Sequence, residues 1–282
     1  MLVDISLHLG VWRFVAQLRR GMEIVVHPPA KLNLGLSIQG KRADGYHLLQ
    51  SVMVALEEPR DTLRLRLTPD LAVPRLTLSG IVIPDADAGN NLVLRAWAAL
   101  RKRVPHLPAV EFELTKRIPA GAGLGGGSAD AAYTLRALNT LCKLGLSTEE
   151  LAQVARPLGA DVPFFLYDGP QLVTGIGHDL QPVTIPHWPQ LRVELRLTGI
   201  HSDTAQAYRD LQPEHHSRRT DLAEILQLPP EQWRGALVND LETPVFARYP
   251  QLRSVRDELY AQGALYAAMS GSGSAVFGLF GR

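Results

Sequence analysis

Residues 116–132 read KRIPAGAGLGGGSADAA, and this stretch decides the fold. Five glycines fall between positions 121 and 127, and each allows the backbone to take a positive φ and to approach a ligand closely. From Ser128 to about Lys143 the pattern predicts a helix with one apolar face. Such a helix directs its unpaired N–H groups and the positive end of its dipole into the loop. The sequence therefore predicts an anion-binding loop, most often used for phosphate.

Two other glycine loops compete with this interpretation. A Walker A loop carries a lysine after its last glycine, whereas Gly127 is followed by Ser128. The dinucleotide-binding fingerprint is present as Gly121-x-Gly123-x-x-Gly126. Those glycines should directly follow a strand and lead to an acidic residue about twenty positions on, and this sequence has neither feature. The fingerprint and a glycine turn without a ligand remain open alternatives at this point.

Composition limits the class of protein. The chain has 282 residues and a net charge of +1 from 29 basic and 28 acidic side chains. This length suits one large domain or two moderate ones. The balance of charge favours neither nucleic acid nor a membrane surface as a partner. Cys142 is the only cysteine, so an internal disulfide and a CxxC metal pair are excluded and a cytoplasmic location is expected.

The order of predicted elements is mixed, which argues for an α+β fold and against a regularly alternating α/β fold. Strands are expected at 24–39 (strand, turn, strand), 49–57, 62–68, 75–79, 110–115, 191–198 and 275–280. Helices are expected at 91–103 behind the Asn90-Asn91 pair, 147–158 with a Ser147/Glu150 capping box, 204–211, 220–227 and 251–262. Residues 1–22 are interpreted as an N-terminal extension. The proline-rich stretch 182–190 is the expected boundary between domains at 23–181 and 182–282.

The loop also matches the pattern Pro119-x-x-x-Gly123-Leu124-Gly125-Gly126-Gly127-Ser128, which resembles the GHMP kinases. Ala129 differs from this resemblance, because a second serine is common there. Four further segments support it: PAKLNL at 29–34, RADGYH at 42–47, GADVPFF at 159–165 and MSGSGSAVFG at 269–278. The resemblance implies two α+β lobes, the first with a ribosomal-protein-like core, and a site in the cleft between them. It also implies ATP-dependent phosphorylation of a small alcohol, with Mg²⁺ held mainly by ATP and water.

The pairing of RADGYH with GADVPFF resembles the GHMP kinases whose substrate is a cytidyl diphosphate sugar alcohol. By residue type, Asp161 suits a general base, and Lys31 suits the cation that holds it ionised. The resemblance assigns ATP binding to Asn91, Lys116, Pro119, Gly121, Gly123, Leu124, Gly125, Gly126, Gly127 and Ser128. It assigns substrate binding to Asn33, Tyr46, His47, Thr204 and Tyr208. We expect Asn33 to share a strand face with Lys31, because the two are two residues apart. No protein ligand for a metal is predicted.

Three other functions remain open at this stage. The first is another GHMP kinase acting on a small alcohol, and the second is a nucleotide-binding oxidoreductase using the fingerprint. The third is a catalytically silent binding protein on the same fold. Release of ADP that depends on the cytidyl substrate separates the leading interpretation from all three. The sequence does not predict the oligomeric state.

Overall fold

The computed structural model describes residues 21–81, 90–212 and 221–282. Most of the interpreted N-terminal extension therefore lies outside the described residues. Its last two residues, Gly21 and Met22, extend a β-strand pairing with Leu67. The Gly21 N–H donates to the carbonyl of Leu67 over 3.4 Å, and the Leu67 N–H donates to the carbonyl of Met22 over 2.9 Å.

The first sheet has four strands in the order β1-β4-β6-β5. They are β1 (Glu23–Val26), β4 (Thr62–Leu67), β5 (Arg75–Gly80) and β6 (Val110–Lys116). β5 runs parallel to β6, and the other pairs are antiparallel. The strict alternation in TLRLRL buries every leucine of β4 and leaves its arginines on the outer face, as period-two patterning predicts. β6 ends at Lys116, so this sheet places Lys116 at the start of the glycine loop.

The second sheet is antiparallel in the order β2-β3-β7-β8. Its strands are β2 (Pro29–Lys41), β3 (His47–Arg60), β7 (Gln171–Thr174) and β8 (Asp179–Pro182). The third sheet has the order β10-β11-β9, with β9 (Leu191–Arg196), β10 (Tyr266–Met269) and β11 (Val276–Gly281). β2 is buried on both faces over its first ten residues, because side chains from both parts of the chain cover it. β2 therefore contributes to the core on both of its faces.

Seven α-helices accompany the sheets in the described parts of the chain. They are α1 (Leu92–Arg103), α2 (Gly126–Leu141), α3 (Thr148–Ala155), α4 (Thr204–Arg209), α5 (Leu222–Ile225), α6 (Glu242–Arg248) and α7 (Pro250–Ala261). The Asn91 side chain caps α1 by accepting from the N–H of Val93. Ser147 and Glu150 form the capping box of α3. Both predicted caps are confirmed.

The predicted start of the helix after the glycine loop is wrong by two residues. α2 begins at Gly126, because Gly125 takes the left-handed conformation with φ 70° and lets the helix start directly behind it. Ser128 therefore lies in the first turn of the helix. The stretch Ala160–Tyr167 contains a short 3-10 helix at Pro163–Leu166. The sequence interpretation missed β7, β8, β10 and α6.

The core joins these elements around the loop. Phe112 from β6, Trp97 from α1 and Leu135 from α2 pack in one buried cluster. A second cluster packs β2 and β3 against the third sheet. The N–H of Lys31 donates to the carbonyl of Leu124 over 2.9 Å, which ties β2 directly to the glycine loop. The arrangement confirms the predicted α+β class.

Candidate active site

The glycine loop connects β6 to α2 and takes positive φ at Gly121, Gly123 and Gly125, with values of 69°, 73° and 70°. A Cβ at Gly123 would lie 2.1 Å from the carbonyl oxygen of Ser270. A side chain is therefore excluded there both by conformation and by the approach of the C-terminal loop. The positive φ values predicted for this segment are confirmed, and the close approach at Gly123 is made by the C-terminal loop.

The loop forms one wall of a cavity of about 340 Å³. This nucleotide-side cavity is lined by all ten residues predicted to bind ATP: Asn91, Lys116, Pro119, Gly121, Gly123, Leu124, Gly125, Gly126, Gly127 and Ser128. The N-terminus of α2 faces it, so unpaired N–H groups and the positive end of the helix dipole point into the space. The cavity can therefore hold an anion such as a phosphate chain.

A larger cavity of about 700 Å³ lies on the other side of the loop. This acceptor-side cavity is lined by the predicted catalytic and substrate residues Lys31, Asn33, Tyr46, His47, Asp161, Thr204 and Tyr208. Gly123 and Gly125 line both cavities. Gly123 and Gly125 therefore form a wall common to the two cavities.

Lys31 and Asp161 meet at that wall. The Nζ of Lys31 lies 3.5 Å from Oδ2 of Asp161, and it also donates to Oδ1 of Asn33. The Nδ2 of Asn33 donates to Oγ of Ser51 over 2.8 Å, and that hydroxyl donates to the carbonyl of Gly35 over 2.7 Å. This chain of hydrogen bonds fixes the orientation of the Lys31 ammonium group. The expectation that Asn33 shares a face with Lys31 is confirmed.

Asp161 is more exposed than its apolar neighbours suggest. Its side chain is 32% exposed, while that of Lys31 is 4% exposed. The short helix that follows buries Val162, Phe164 and Phe165 in the core, and this leaves the carboxylate directed at the acceptor-side cavity. Burial raises the pKa of the Tyr208 hydroxyl well above its ordinary value, and the charge of Asp161 adds to the effect.

The predicted aromatic residues Tyr46, His47 and Tyr208 also line the acceptor-side cavity. The rings of His47 and Tyr208 stack with centroids 5.4 Å apart and an interplanar angle of 27°. Tyr46 is 61% exposed. The hydroxyls of Thr204 and Ser272 lie 2.7 Å apart. The structure therefore places the predicted substrate residues around one space.

A second loop, residues 270–275, presses on the glycine loop from the C-terminal side. Ser270 Oγ donates to the carbonyl of Gly123 over 3.0 Å, and the N–H of Ala275 donates to the carbonyl of Ala122 over 3.0 Å. The Nδ2 of buried Asn239 donates to the carbonyls of Met269 and Gly271. The sequence analysis identified this loop at 269–278 but missed Asn239, because nothing local in the sequence connects the two.

A buried charge cluster beneath the glycine loop was also missed. Lys116 Nζ donates to Asp130 Oδ2 over 2.6 Å and to Asp61 Oδ2. Burial raises the pKa of Asp130 to about 7, against the lowering influence of Lys116. Burial lowers the pKa of Lys116, but the charges of Asp130 and Asp61 outweigh it and leave that pKa above its ordinary value. Lys116 thus lines the nucleotide-side cavity as a paired ammonium.

Within residues 21–81, 90–212 and 221–282, no three histidine, cysteine or carboxylate side chains are grouped so as to hold a metal ion. The same residues include no helix long and apolar enough to cross a bilayer.

The comparisons with known families agree with this geometry. Residues 91–169 match the GHMP kinases N terminal domain, and residues 216–282 match the GHMP kinases C terminal domain. The fold and the divided cavity therefore define a GHMP kinase. The dinucleotide-binding oxidoreductase alternative is wrong.

Comparison with individual relatives makes the assignment of this chain within the GHMP kinases more specific. A 4-diphosphocytidyl-2-C-methyl-D-erythritol kinase of Porphyromonas gingivalis is 42% identical over 258 residues, which cover 91% of this chain and 92% of the relative. That of Azobacteroides pseudotrichonymphae is 40% identical, covering 91% and 93%. A crystal structure of a 4-(cytidine 5'-diphospho)-2C-methyl-D-erythritol kinase superposes with a TM-score of 0.76 at 35% identity, covering 91% of this chain and 90% of the other. The chain belongs to the 4-diphosphocytidyl-2-C-methyl-D-erythritol kinase family and is a small-molecule kinase.

Proposed function

We propose that the protein transfers the γ-phosphoryl group of ATP to the 2-hydroxyl of 4-diphosphocytidyl-2-C-methyl-D-erythritol, a step of the non-mevalonate isoprenoid route. The products are ADP and the 2-phosphate. The observation that carries the proposal is the Lys31–Asp161 pair, 3.5 Å apart in the acceptor-side cavity, with Lys31 packed against Gly125 of the glycine loop. The names of the relatives at about 40% identity supply the substrate.

Phosphoryl transfer requires in-line positioning, neutralised charge and a group that accepts the proton of the attacking hydroxyl. Asp161 accepts that proton in this proposal, because its carboxylate is partly exposed to the acceptor-side cavity. Lys31 lies 3.5 Å from this carboxylate and orients the hydroxyl. Asn33 contacts the methylerythritol end. The backbone N–H groups of the glycine loop and the start of α2 bind the phosphates.

We propose Mg²⁺ as the ion that accompanies ATP, held mainly by phosphate oxygens and water. Gly123 and Gly125 line both cavities. The lysine that lines the nucleotide-side cavity, Lys116, is already paired with Asp61 and Asp130. A triphosphate carries more negative charge than this lysine neutralises, so a cation carried by the nucleotide fits the donor set. When bound, it would neutralise the developing charge on the phosphates. We propose no protein ligand for it.

The cytidyl end is proposed to lie between the aromatic rings. Tyr46 and Tyr208 stack on the two faces of the cytosine, His47 hydrogen-bonds its edge, and Thr204 lines the same space. The aromatic residues supply stacking that any base would accept, and edge hydrogen bonds supply the discrimination. The support is that all four residues line the acceptor-side cavity.

The remaining proposals concern setting and organisation. We propose domains at 23–181 and 182–282, and a cytoplasmic enzyme without nucleic-acid or membrane partners. The supporting observations are the near-balanced charge and a single, buried cysteine, Cys142, whose pKa burial raises to about 11.

An assay of ADP release tests the proposed function. Purified protein is given ATP and magnesium with the cytidyl substrate, mevalonate or homoserine, and the phosphorylated product is located by phosphorus NMR. We expect ADP release that depends on the cytidyl substrate, with the new phosphate on its 2-oxygen. Turnover of another alcohol in its place would assign the protein to a different GHMP kinase activity.

A further inference from the structure

The charge cluster beneath the glycine loop ties three elements together. Asp61 lies between β3 and β4, Lys116 is the last residue of β6, and Asp130 lies in the second turn of α2. All three are buried, with exposures of 0%, 3% and 3%. Asp61 Oδ1 also accepts from the N–H groups of Arg117 and Ile118, over 2.5 and 2.9 Å. The cluster therefore anchors both ends of the glycine loop, because Lys116 precedes the loop and Asp130 follows it.

Lys116 and Ile118 both pack closely against Gly126. A Cβ on Gly126 would lie 3.3 Å from the Nζ of Lys116 and 2.8 Å from a methyl carbon of Ile118. The ammonium thus lies against the first turn of α2, next to the nucleotide-side cavity that Lys116 and Asp130 both line. The carboxylate of Asp130 holds it there from one turn further along the helix.

The cluster is not electrically neutral. With both carboxylates ionised, two negative charges meet one positive charge, so its net charge is −1. Among the described residues, the charged groups facing Asp130 are Asp61, from the β3–β4 junction, and Lys116, from β6. Oδ1 of Asp130 is buried without a hydrogen-bond partner in the part of the chain that the structure describes. A buried acceptor without a partner is costly. A proton on this carboxyl group would remove its charge and allow it to hydrogen-bond to Asp61.

We propose that Asp130 is a positioning residue for the nucleotide: it holds Lys116 against the start of α2, and its negative charge opposes the phosphates until it takes up a proton. Nucleotide binding is then coupled to protonation of this buried carboxyl group. The inference rests on the proposed function, because it takes the phosphates of ATP or ADP as the ligand of the loop.

The direction of the coupling follows from charge. A phosphate chain near the cluster favours the protonated form of Asp130, so binding raises its pKa further. The pKa of about 7 before binding places this uptake near neutral pH. Below that pH the group is already protonated and binding meets no opposition. Above it the nucleotide must overcome the charge, so affinity falls as the pH rises.

Calorimetric titration with magnesium ADP tests this, because it needs no turnover. The wild type, Asp130→Asn and Asp130→Ala are titrated between pH 6 and pH 8.5 in two buffers of different ionisation enthalpy. Comparing variants at each pH removes the titration of ADP itself and of other groups that the variants share. Asp168→Asn is the matched control, because it makes the same charge change at a carboxylate that is 97% exposed.

We expect the wild type and Asp130→Asn to bind alike at pH 6. At pH 8.5 the wild type should bind about 5-fold more weakly than Asp130→Asn, a modest effect for one charge at this range in a partly screened site. Proton uptake on binding should be present in the wild type and in Asp168→Asn and absent in Asp130→Asn. Asp130→Ala, which leaves Lys116 with one carboxylate, should bind about 10-fold more weakly than Asp130→Asn at both pH values.

Equal proton uptake in the wild type and in Asp130→Asn would overturn the coupling. Equal affinity of folded Asp130→Ala and Asp130→Asn would overturn the positioning role. If Asp130→Ala does not fold, the comparison between wild type and Asp130→Asn still decides the coupling. Failure of the proposed function has a different signature: the wild type binds ADP but releases none from ATP when given the cytidyl substrate.

Discussion

The ammonium nitrogen of Lys31 lies 3.5 Å from Oδ2 of Asp161, at the wall that divides the two cavities. The lysine is enclosed and its direction is fixed by Asn33, whereas the carboxylate is open to the acceptor-side cavity. A fixed cation beside an accessible carboxylate suits the proposed transfer of the hydroxyl proton to Asp161. In the proposed mechanism Lys31 orients the hydroxyl and Asp161 accepts its proton.

Asp161→Asn removes the carboxylate and keeps the shape of the side chain. We expect kcat to fall by about 10²-fold or more, because general-base catalysis contributes on that scale. Affinity for ATP should hardly change, since Asp161 does not line the nucleotide-side cavity. Steady-state kinetics with the cytidyl substrate give kcat, and calorimetry gives the affinity. Near-normal turnover in the variant would remove Asp161 from the mechanism.

Gly125→Val tests the partition between the cavities. Gly125 has φ 70°, and a Cβ there would lie 3.0 Å from both Lys31 Cγ and Phe165 Cζ. Valine resists a positive φ and blocks close approach of a phosphate, so we expect affinity for ATP to fall about 10-fold or more. The matched control is Gly145→Val, since Gly145 has φ 69° with nothing within 4 Å of an added Cβ. Backbone strain is common to both variants.

The two glycine variants separate strain from site chemistry. Both should lose stability in urea unfolding, and only Gly125→Val should lose nucleotide affinity. A folded Gly125→Val protein that binds ATP like the Gly145→Val protein would return the loop to a purely structural role.

Tyr46→Ala tests the proposed cytosine site. Tyr46 is 61% exposed, so its removal should cost little stability. Loss of one stacking face should raise KM for the cytidyl substrate about 10-fold, which corresponds to roughly 1.4 kcal/mol. Tyr208→Ala should act in the same direction. KM for ATP should stay the same in both variants.

Tyr46→Phe is the control for this test, because it keeps the ring and removes only the hydroxyl. Its KM for the cytidyl substrate should match that of the wild type. If both alanine variants used the cytidyl substrate as well as the wild type does, the substrate assignment would fall, although the kinase assignment would survive.

The sequence predicted the parts of the site whose signals are local. The glycine loop, the caps at Asn91 and Ser147, and the alternation of β4 each depend on residues a few positions apart. The ten nucleotide-side residues, most of which belong to one continuous loop, were assigned by the family resemblance. The resemblance supplied the rest, and the structure brings those distant residues to one place.

Features that depend on contacts between residues far apart in the chain could not be predicted from the sequence. Asp61, Lys116 and Asp130 come from three elements, and no spacing in the sequence links Asp61 to the loop. The exposure of Asp161 was also hidden, because the short helix at Pro163–Leu166 turns its apolar neighbours into the core and leaves the carboxylate outside. β7, β8 and β10 have four residues each, which is too short for periodicity to define them.

The charge cluster also predicts how stability varies with pH. The pKa of Asp130 rises from an ordinary 3.8 to about 7 in the folded protein. The folded state therefore binds a proton over a range in which the unfolded state has released it. Unfolding releases that proton, so this group contributes stability that is fully present below about pH 4 and is lost as the pH rises through about 7.

Asp130→Asn removes this dependence, because the amide cannot titrate. Urea unfolding of wild type and variant at pH 5, 6, 7 and 8 gives the difference in their free energies of unfolding at each pH. Relative to the variant, we expect the wild type to lose on the order of 2 kcal/mol between pH 5 and pH 8. The control Asp168→Asn, at an exposed carboxylate, should follow the wild type. Parallel curves for wild type and Asp130→Asn would mean that Asp130 is ionised throughout this range.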